Sequence, residues 1–229
     1  MADSRIPHVD RRSLVAPALS VLAIVVFFGL PGLGGEKVDG GFQSLFWNGQ
    51  AWLVPHENAL GRALAYDGPK AVIIFLAISL IGAAVFVRRV RMRALYLLAC
   101  LAVVSVVCTQ LRAVSGMATP LELKAFGGTY DHLLLFQAKP AGYPSHAFPA
   151  GHASGGFALL GLYWVLADRR WRGLALGLGM GCWMGFYQVA RGEHFLSHTL
   201  ATAALAWLLC AGLALAMKGP LTREVSSSS

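Results

Sequence analysis

The chain has 229 residues, of which 56% are hydrophobic and 13% charged, and its mean hydropathy is +0.60. Those proportions exclude an ordinary water-soluble domain and describe a membrane protein. The 19 Lys and Arg against 11 Asp and Glu would suit nucleic acid in a soluble chain, but here Arg11 and Arg12, the cluster Arg88, Arg89, Arg91 and Arg93, and the cluster Arg169, Arg170 and Arg172 each abut an apolar run. Such clusters mark cytoplasmic loops, so the expected partner is the bilayer and not nucleic acid.

In chain order, six stretches approach the roughly 20 apolar residues that a bilayer core requires. They cover 13–30, 70–87, 94–111, 153–167, 173–190 and 199–217. The first reads as a retained anchor, because the run is long and Pro31-Gly32-Leu33-Gly34-Gly35 after it lacks an A-x-A cleavage site. The expected fold is therefore all-α: one domain over 1–229, a six-helix transmembrane bundle with an interfacial helix after the first span. Segment 31–69, with Phe42, Phe46, Trp47 and Trp52 among Gly, Asn and Gln, has the composition of that interfacial piece. The tail 226–229 is a serine run expected to fray. Cys100, Cys108, Cys182 and Cys210 lie in apolar runs without C-x-x-C spacing and suggest neither disulfides nor a metal site.

The basic clusters place the N-terminus, loop 88–93, loop 168–172 and the tail from Lys218 on the cytoplasmic side. Segments 31–69, 112–152 and 191–198 then share the opposite face, and the chemistry collects there. His132, His146, His152, His194 and His198 fall on that face or at its boundary. His132 and His146 taken singly read as structural. His152 follows Phe148-Pro149-Ala150-Gly151 and opens a helix, and a helix N-terminus offers free N–H groups to an anion. Gln188, Arg191, His194 and His198 would share about a third of a helix circumference if one helix continued through Gly192. Ionisable groups between two apolar runs are costly and therefore point to function. An i, i+4 histidine pair also suits a metal, but Glu193 precedes His194, so the H-E-x-x-H order is absent and no metal or other cofactor is expected. Arg112 closes the third span on the face where cations are disfavoured, which asks for an anionic partner.

Together these pieces resemble the type 2 phosphatidic acid phosphatase and vanadium haloperoxidase superfamily, whose pattern is K-x6-R-P, P-S-G-H and S-R-x5-H-x3-D. Arg112-x6-Thr119-Pro120, Pro149-Ala150-Gly151-His152 and the stretch ending His194-x3-His198 stand in that order, and the resemblance covers roughly residues 70 to 217. Arg112 replaces Lys, Thr119 replaces Arg and Ala150 replaces Ser. Gln188 holds the arginine position of the third motif with Arg191 one turn later, and His198 replaces Asp. The resemblance implies that His194 is a nucleophile forming a phosphohistidine, that His152 is the general acid and later base, and that His198 orients the nucleophile. It further implies that Arg112, Arg191, Thr119, Ala150, Gly151 and Gln188 surround the phosphate. Glu193 or Asp131 would supply the charge that a neutral His198 lacks, unless His198 itself binds phosphate when protonated.

The activity so implied is metal-independent hydrolysis of a lipid phosphate or diphosphate at the periplasmic face of a bacterial-type inner membrane. Lipid A, undecaprenyl diphosphate, phosphatidate and phosphatidylglycerol phosphate all fit, and Arg62, Lys124 and Lys139 are candidates for a polyanionic headgroup. Lipid-to-lipid phosphoryl transfer on the same site, and a degenerate lipid-phosphate binder without catalysis, stay open as alternatives. Oligomeric state is not set by the sequence.

Overall fold

The computed structural model describes residues 10–218; the serine tail 226–229 lies outside the described residues. The chain is all-helical: α1 (Val15–Gly29), α2 (Gly35–Ser44), α3 (Ala59–Arg62), α4 (Gly68–Phe86), α5 (Arg91–Ser115), α6 (Gly151–Ala158), α7 (Leu162–Val165), α8 (Arg170–Ala190) and α9 (Leu196–Ala216). Among the described residues only isolated bridges, Trp47 with Trp52 and Leu123 with Tyr130, stand in for sheet.

Among the described residues, four helical stretches are long and apolar enough to cross a membrane: Arg11–Gly29, Ala59–Phe86, Arg88–Glu122 and Leu196–Ala216. The second begins eleven residues before the expected boundary at 70. Asn58 caps it by accepting the Gly61 N–H at 2.8 Å, a π-helical turn Ala63–Asp67 carries it on, and Pro69 falls at the first positions of α4, which follows the turn. Arg62 and Asp67 give this stretch the look of a loop, yet they pair with each other at 3.2 Å.

The expected fourth span is broken. A 3-10 turn, Leu159–Gly161, separates α6 from the single turn of α7, and a helix needs 1.5 Å of rise per residue to cover a core about 30 Å thick. α8 has the length, but its glycines dilute its apolarity. Those glycines repeat at four-residue spacing for a packing reason. A Cβ on Gly177 would lie 2.5 Å from the Leu160 nitrogen, and one on Gly173 would lie 2.6 Å from the Leu162 carbonyl carbon. A Cβ on Gly156 would lie 2.7 Å from the Gly181 nitrogen. The backbones of α8 and of the α6 to α7 segment therefore touch, as small-residue stripes permit when lipid supplies no hydrophobic drive. Tyr96 on α5 adds a buried hydrogen bond of 2.9 Å to the Cys210 carbonyl of α9.

Within segment 31–69, α2 exposes Val38 on one side and docks the other on the far ends of α8 and α9. Buried Gln43 donates to the Val189 carbonyl at 2.8 Å, and buried Asp39 accepts the Ser197 N–H at 2.9 Å. This segment therefore braces the connection between the two helices.

Candidate active site

Arg112 lies in the last turn of α5, which Gly116 ends with a φ of 59°. Its Nε donates to the His146 carbonyl at 2.6 Å. His146 takes a φ of 90°, unusual for a residue with a Cβ, and this aims that carbonyl at the guanidinium. Gly151 opens α6 beneath the same side chain: a Cβ there would come within 2.9 Å of the Arg112 Cδ. Only glycine lets the arginine lie across the helix start.

His152, the next residue, lines a cleft of about 380 Å³ together with Arg112 and Gly151. Tyr66, Lys70, Ser105 and Thr109 supply its polar wall, and Ile73, Ile74 and Met184 its apolar wall. The His152 ring stands 5.1 Å from that of Tyr66 and 5.8 Å from that of His194, centre to centre. Its Nδ1 is buried with no hydrogen-bond partner, the kind of orphan that a substrate oxygen can satisfy.

The third motif does not run along one helix. α8 stops at Ala190, Gly192 takes a φ of 76°, and α9 begins at Leu196. The four polar groups therefore share no helical face: Gln188 belongs to α8, Arg191 and His194 to the turn, and His198 to α9. Gly192 has a second constraint besides its φ, because a Cβ would fall 2.5 Å from the Trp52 ring. Leu121 donates to its carbonyl at 3.0 Å and Glu193 donates to that of Gln188 at 2.9 Å, fixing the turn from both sides.

His194 and His198 meet through their Nδ1 atoms at 3.5 Å. His198 is fully buried, with Phe148 and Phe195 edge-on at 5.4 and 5.5 Å. His194 is 2% exposed. Burial drives its pKa well below the usual imidazole value, His198, His152 and Arg112 push the same way, and the Ala147 backbone opposes them. The ring is consequently neutral near pH 7, the state in which one nitrogen keeps a lone pair.

Arg191 lies with its guanidinium 5.2 Å from the Tyr187 ring centre and donates to the Tyr187 hydroxyl at 3.4 Å, while its buried Nε has no partner. The structure thus brings together His152, His194, His198, Arg112 and Gly151, with Arg191 outside the cleft lining but within electrostatic reach of His152. Three other candidates are committed elsewhere. Thr119 caps the turn Pro120–Glu122, its N–H and hydroxyl both held by the Glu122 carboxylate at 2.7 and 2.9 Å. Ala150 is buried and spends its N–H on the His198 carbonyl at 3.2 Å. Gln188 is buried in α8 and does not line the cleft.

The groups expected to help His198 are also engaged: Glu193 meets His56 at 3.0 Å and Asp131 meets Lys124 at 2.8 Å. Of the candidate headgroup cations, Arg62 pairs with Asp67 and Lys139 donates to the carbonyls of Leu134 and Leu135. Lys70, Tyr66 and Asp39 are the residues that sequence reasoning missed. A lysine beside Pro69 on the face that disfavours cations was the available signal for the first. Asp39 had none, since its partner lies 158 residues away.

The family model of the PAP2 superfamily matches residues 93–220. The fold is also that of the crystal structure of a transmembrane PAP2-type phosphatidylglycerolphosphate phosphatase from Bacillus subtilis, with a TM-score of 0.61 over 90% of this chain and 96% of that one at 14% identity. No curated protein matches the sequence. The matched stretch spans more than half of the chain and contains all three motifs, so this multi-pass membrane protein belongs to the PAP2 superfamily.

Proposed function

We propose that the protein is a membrane phosphatase that hydrolyses a lipid phosphate or diphosphate through a phosphohistidine on His194, with no metal in the reaction. The observation that carries this reading is the convergence of His152, Arg112 and the neutral, buried His194 beside a cleft whose other wall is apolar.

His194 donates its Nδ1–H toward His198 Nδ1, which leaves the Nε2 lone pair for phosphorus. As the N–P bond forms, the P–O bond to the leaving group breaks and His152 protonates the departing oxygen. Water then attacks phosphorus, His152 takes its proton, and inorganic phosphate leaves with His194 restored. Arg112, Arg191 and the first N–H groups of α6 balance the oxygens of the transferring group. His194 does not itself line the cleft, but its ring lies 5.8 Å from that of His152, which does.

In this reading α6 with α7 and then α8 make two further crossings, for six in all. The basic clusters face the cytoplasm and the site opens to the periplasmic side of an inner membrane. Transfer to an acceptor lipid would use the same phosphohistidine and differs only in what replaces water.

The test is phosphate release from a panel of lipid phosphates by the purified protein and by His194→Ala, with chelator present. We expect release by the parent chain and a loss of about a thousandfold or more in the variant. Release by both would remove His194 from its role, and release that requires an added divalent ion would remove the metal-free mechanism.

A further inference from the structure

Three cations, Arg112, Lys70 and Arg191, lie within electrostatic reach of the His152 ring. A phosphomonoester carries about two negative charges near neutral pH. The two arginines match that charge. Lys70 exceeds it, and among the described residues no carboxylate pairs with it, whereas Arg62 and Lys124 each have one. It stands in the first turn of α4, lines the cleft together with Arg112 and His152, and holds its Nζ 6.0 Å from the centre of the Tyr66 ring. Tyr66 in turn lies beside His152, its ring tilted at 52° to the imidazole, and belongs to the π-helical turn Ala63–Asp67, an irregularity frequent at functional sites. Glu193 also acts on His152, but its carboxylate is held by His56 at 3.0 Å.

We propose that Lys70, set against Tyr66, forms a headgroup subsite that selects lipids whose phosphomonoester is accompanied by a second anionic phosphate. The inference rests on the phosphatase reading. Two sources share this chemistry: a lipid diphosphate, and a headgroup in which a phosphodiester precedes the phosphomonoester. A lysine suits either, being a point charge on a flexible stem without the fixed fork of arginine. In the diphosphate case the terminal phosphoryl passes to His194, the bridging P–O bond breaks, His152 protonates the departing oxygen, and Lys70 neutralises charge on the lipid monophosphate that leaves.

The experiment compares the parent chain, Lys70→Gln and Lys70→Arg on a polyprenyl diphosphate, phosphatidylglycerol phosphate and phosphatidate in one detergent. Lys70→Gln should lower kcat/KM about tenfold or more on a doubly anionic lipid, the effect of losing one charge-assisted contact, while phosphatidate changes by less than about threefold. Lys70→Arg should restore most of the loss. A drop on only one of the two doubly anionic lipids identifies which source the subsite takes. An equal drop on phosphatidate, or no drop on any lipid, overturns the proposal. Equilibrium binding of the same lipids to His194→Ala, with and without Lys70→Gln, keeps the two readings separable. If the parent chain hydrolyses none of them, the phosphatase reading fails, and a binding preference for two phosphates that Lys70→Gln abolishes still supports the subsite. Equal binding overturns it.

Discussion

The two walls of the cleft are built in opposite ways. On one side α8 lies backbone to backbone against α6 and the turn after it, through Gly173, Gly177 and Gly181, and its end carries Arg191 and the turn to His194. On the other side α4 packs mainly on α5 and leaves Phe75, Ile78 and Phe86 exposed. A wall of touching backbones has no room to shift, which suits groups that must meet phosphorus within tenths of an ångström. The looser wall carries Lys70 and Tyr66, the groups that meet the headgroup.

The largest effect should come from disturbing the tight wall. Gly177→Val places a branched side chain where even one Cβ would stand 2.5 Å from the Leu160 nitrogen. We expect a loss of about 3 kcal/mol or more, read as a lower thermal midpoint in detergent and the loss of a monodisperse peak. Gly82→Ala in α4 is the matched control: nothing lies within 4 Å of the added Cβ, so the midpoint should hold or rise. Equal damage by both substitutions would erase the contrast between the walls.

Next in size is His198, which stands at the back of the tight wall. If it serves to orient His194, His198→Asp keeps an acceptor opposite Nδ1 and should retain activity within about tenfold, while His198→Ala should lose about a hundredfold in kcat. A collapse of activity in His198→Asp would show that an imidazole is specifically required there, and the orienting role would go.

The candidate site residues were more legible in the sequence than the tight wall that holds them. Arg112, His152 and His194 stand out because ionisable residues at a membrane boundary are rare and their spacing follows a pattern. The glycines of α8 were visible as letters but read as part of an apolar run, since only the neighbouring backbone shows what they make room for. The start of the second span was hidden because Arg62 and Asp67 look like loop residues until their pairing is known. The sequence leaves open whether one helix runs through Gly192; none does, since Gly192 takes a φ of 76° and sits against Trp52, a contact between segments far apart in the chain. Thr119 stands at a motif position that the family fills with Arg, and Glu122, three residues on, claims its donors.

The smallest effect probes how the tight wall is held from outside the bundle. Asp39 on α2 accepts the Ser197 N–H near the start of α9, and burial raises its pKa from the ordinary carboxylate value to about 6 while the Ser197 hydrogen bonds oppose the rise. A raised carboxyl pKa means that the folded state holds the proton more tightly than the unfolded chain does. The associated stability is full below the unfolded pKa of 3.8 and is lost as the pH climbs through about 6. The parent chain should therefore lose on the order of 1 kcal/mol between about pH 5 and pH 7 relative to Asp39→Asn, which accepts the same hydrogen bond but cannot ionise. Thermal midpoints of both proteins across that range provide the measurement, and parallel curves would show that Asp39 does not titrate there. Because α9 carries His198 and follows directly on His194, the activity of Asp39→Asn should track the parent chain at low pH and differ from it only above about pH 6. A uniform loss at every pH would instead mean that the carboxylate, and not merely an acceptor, is needed to hold the start of α9.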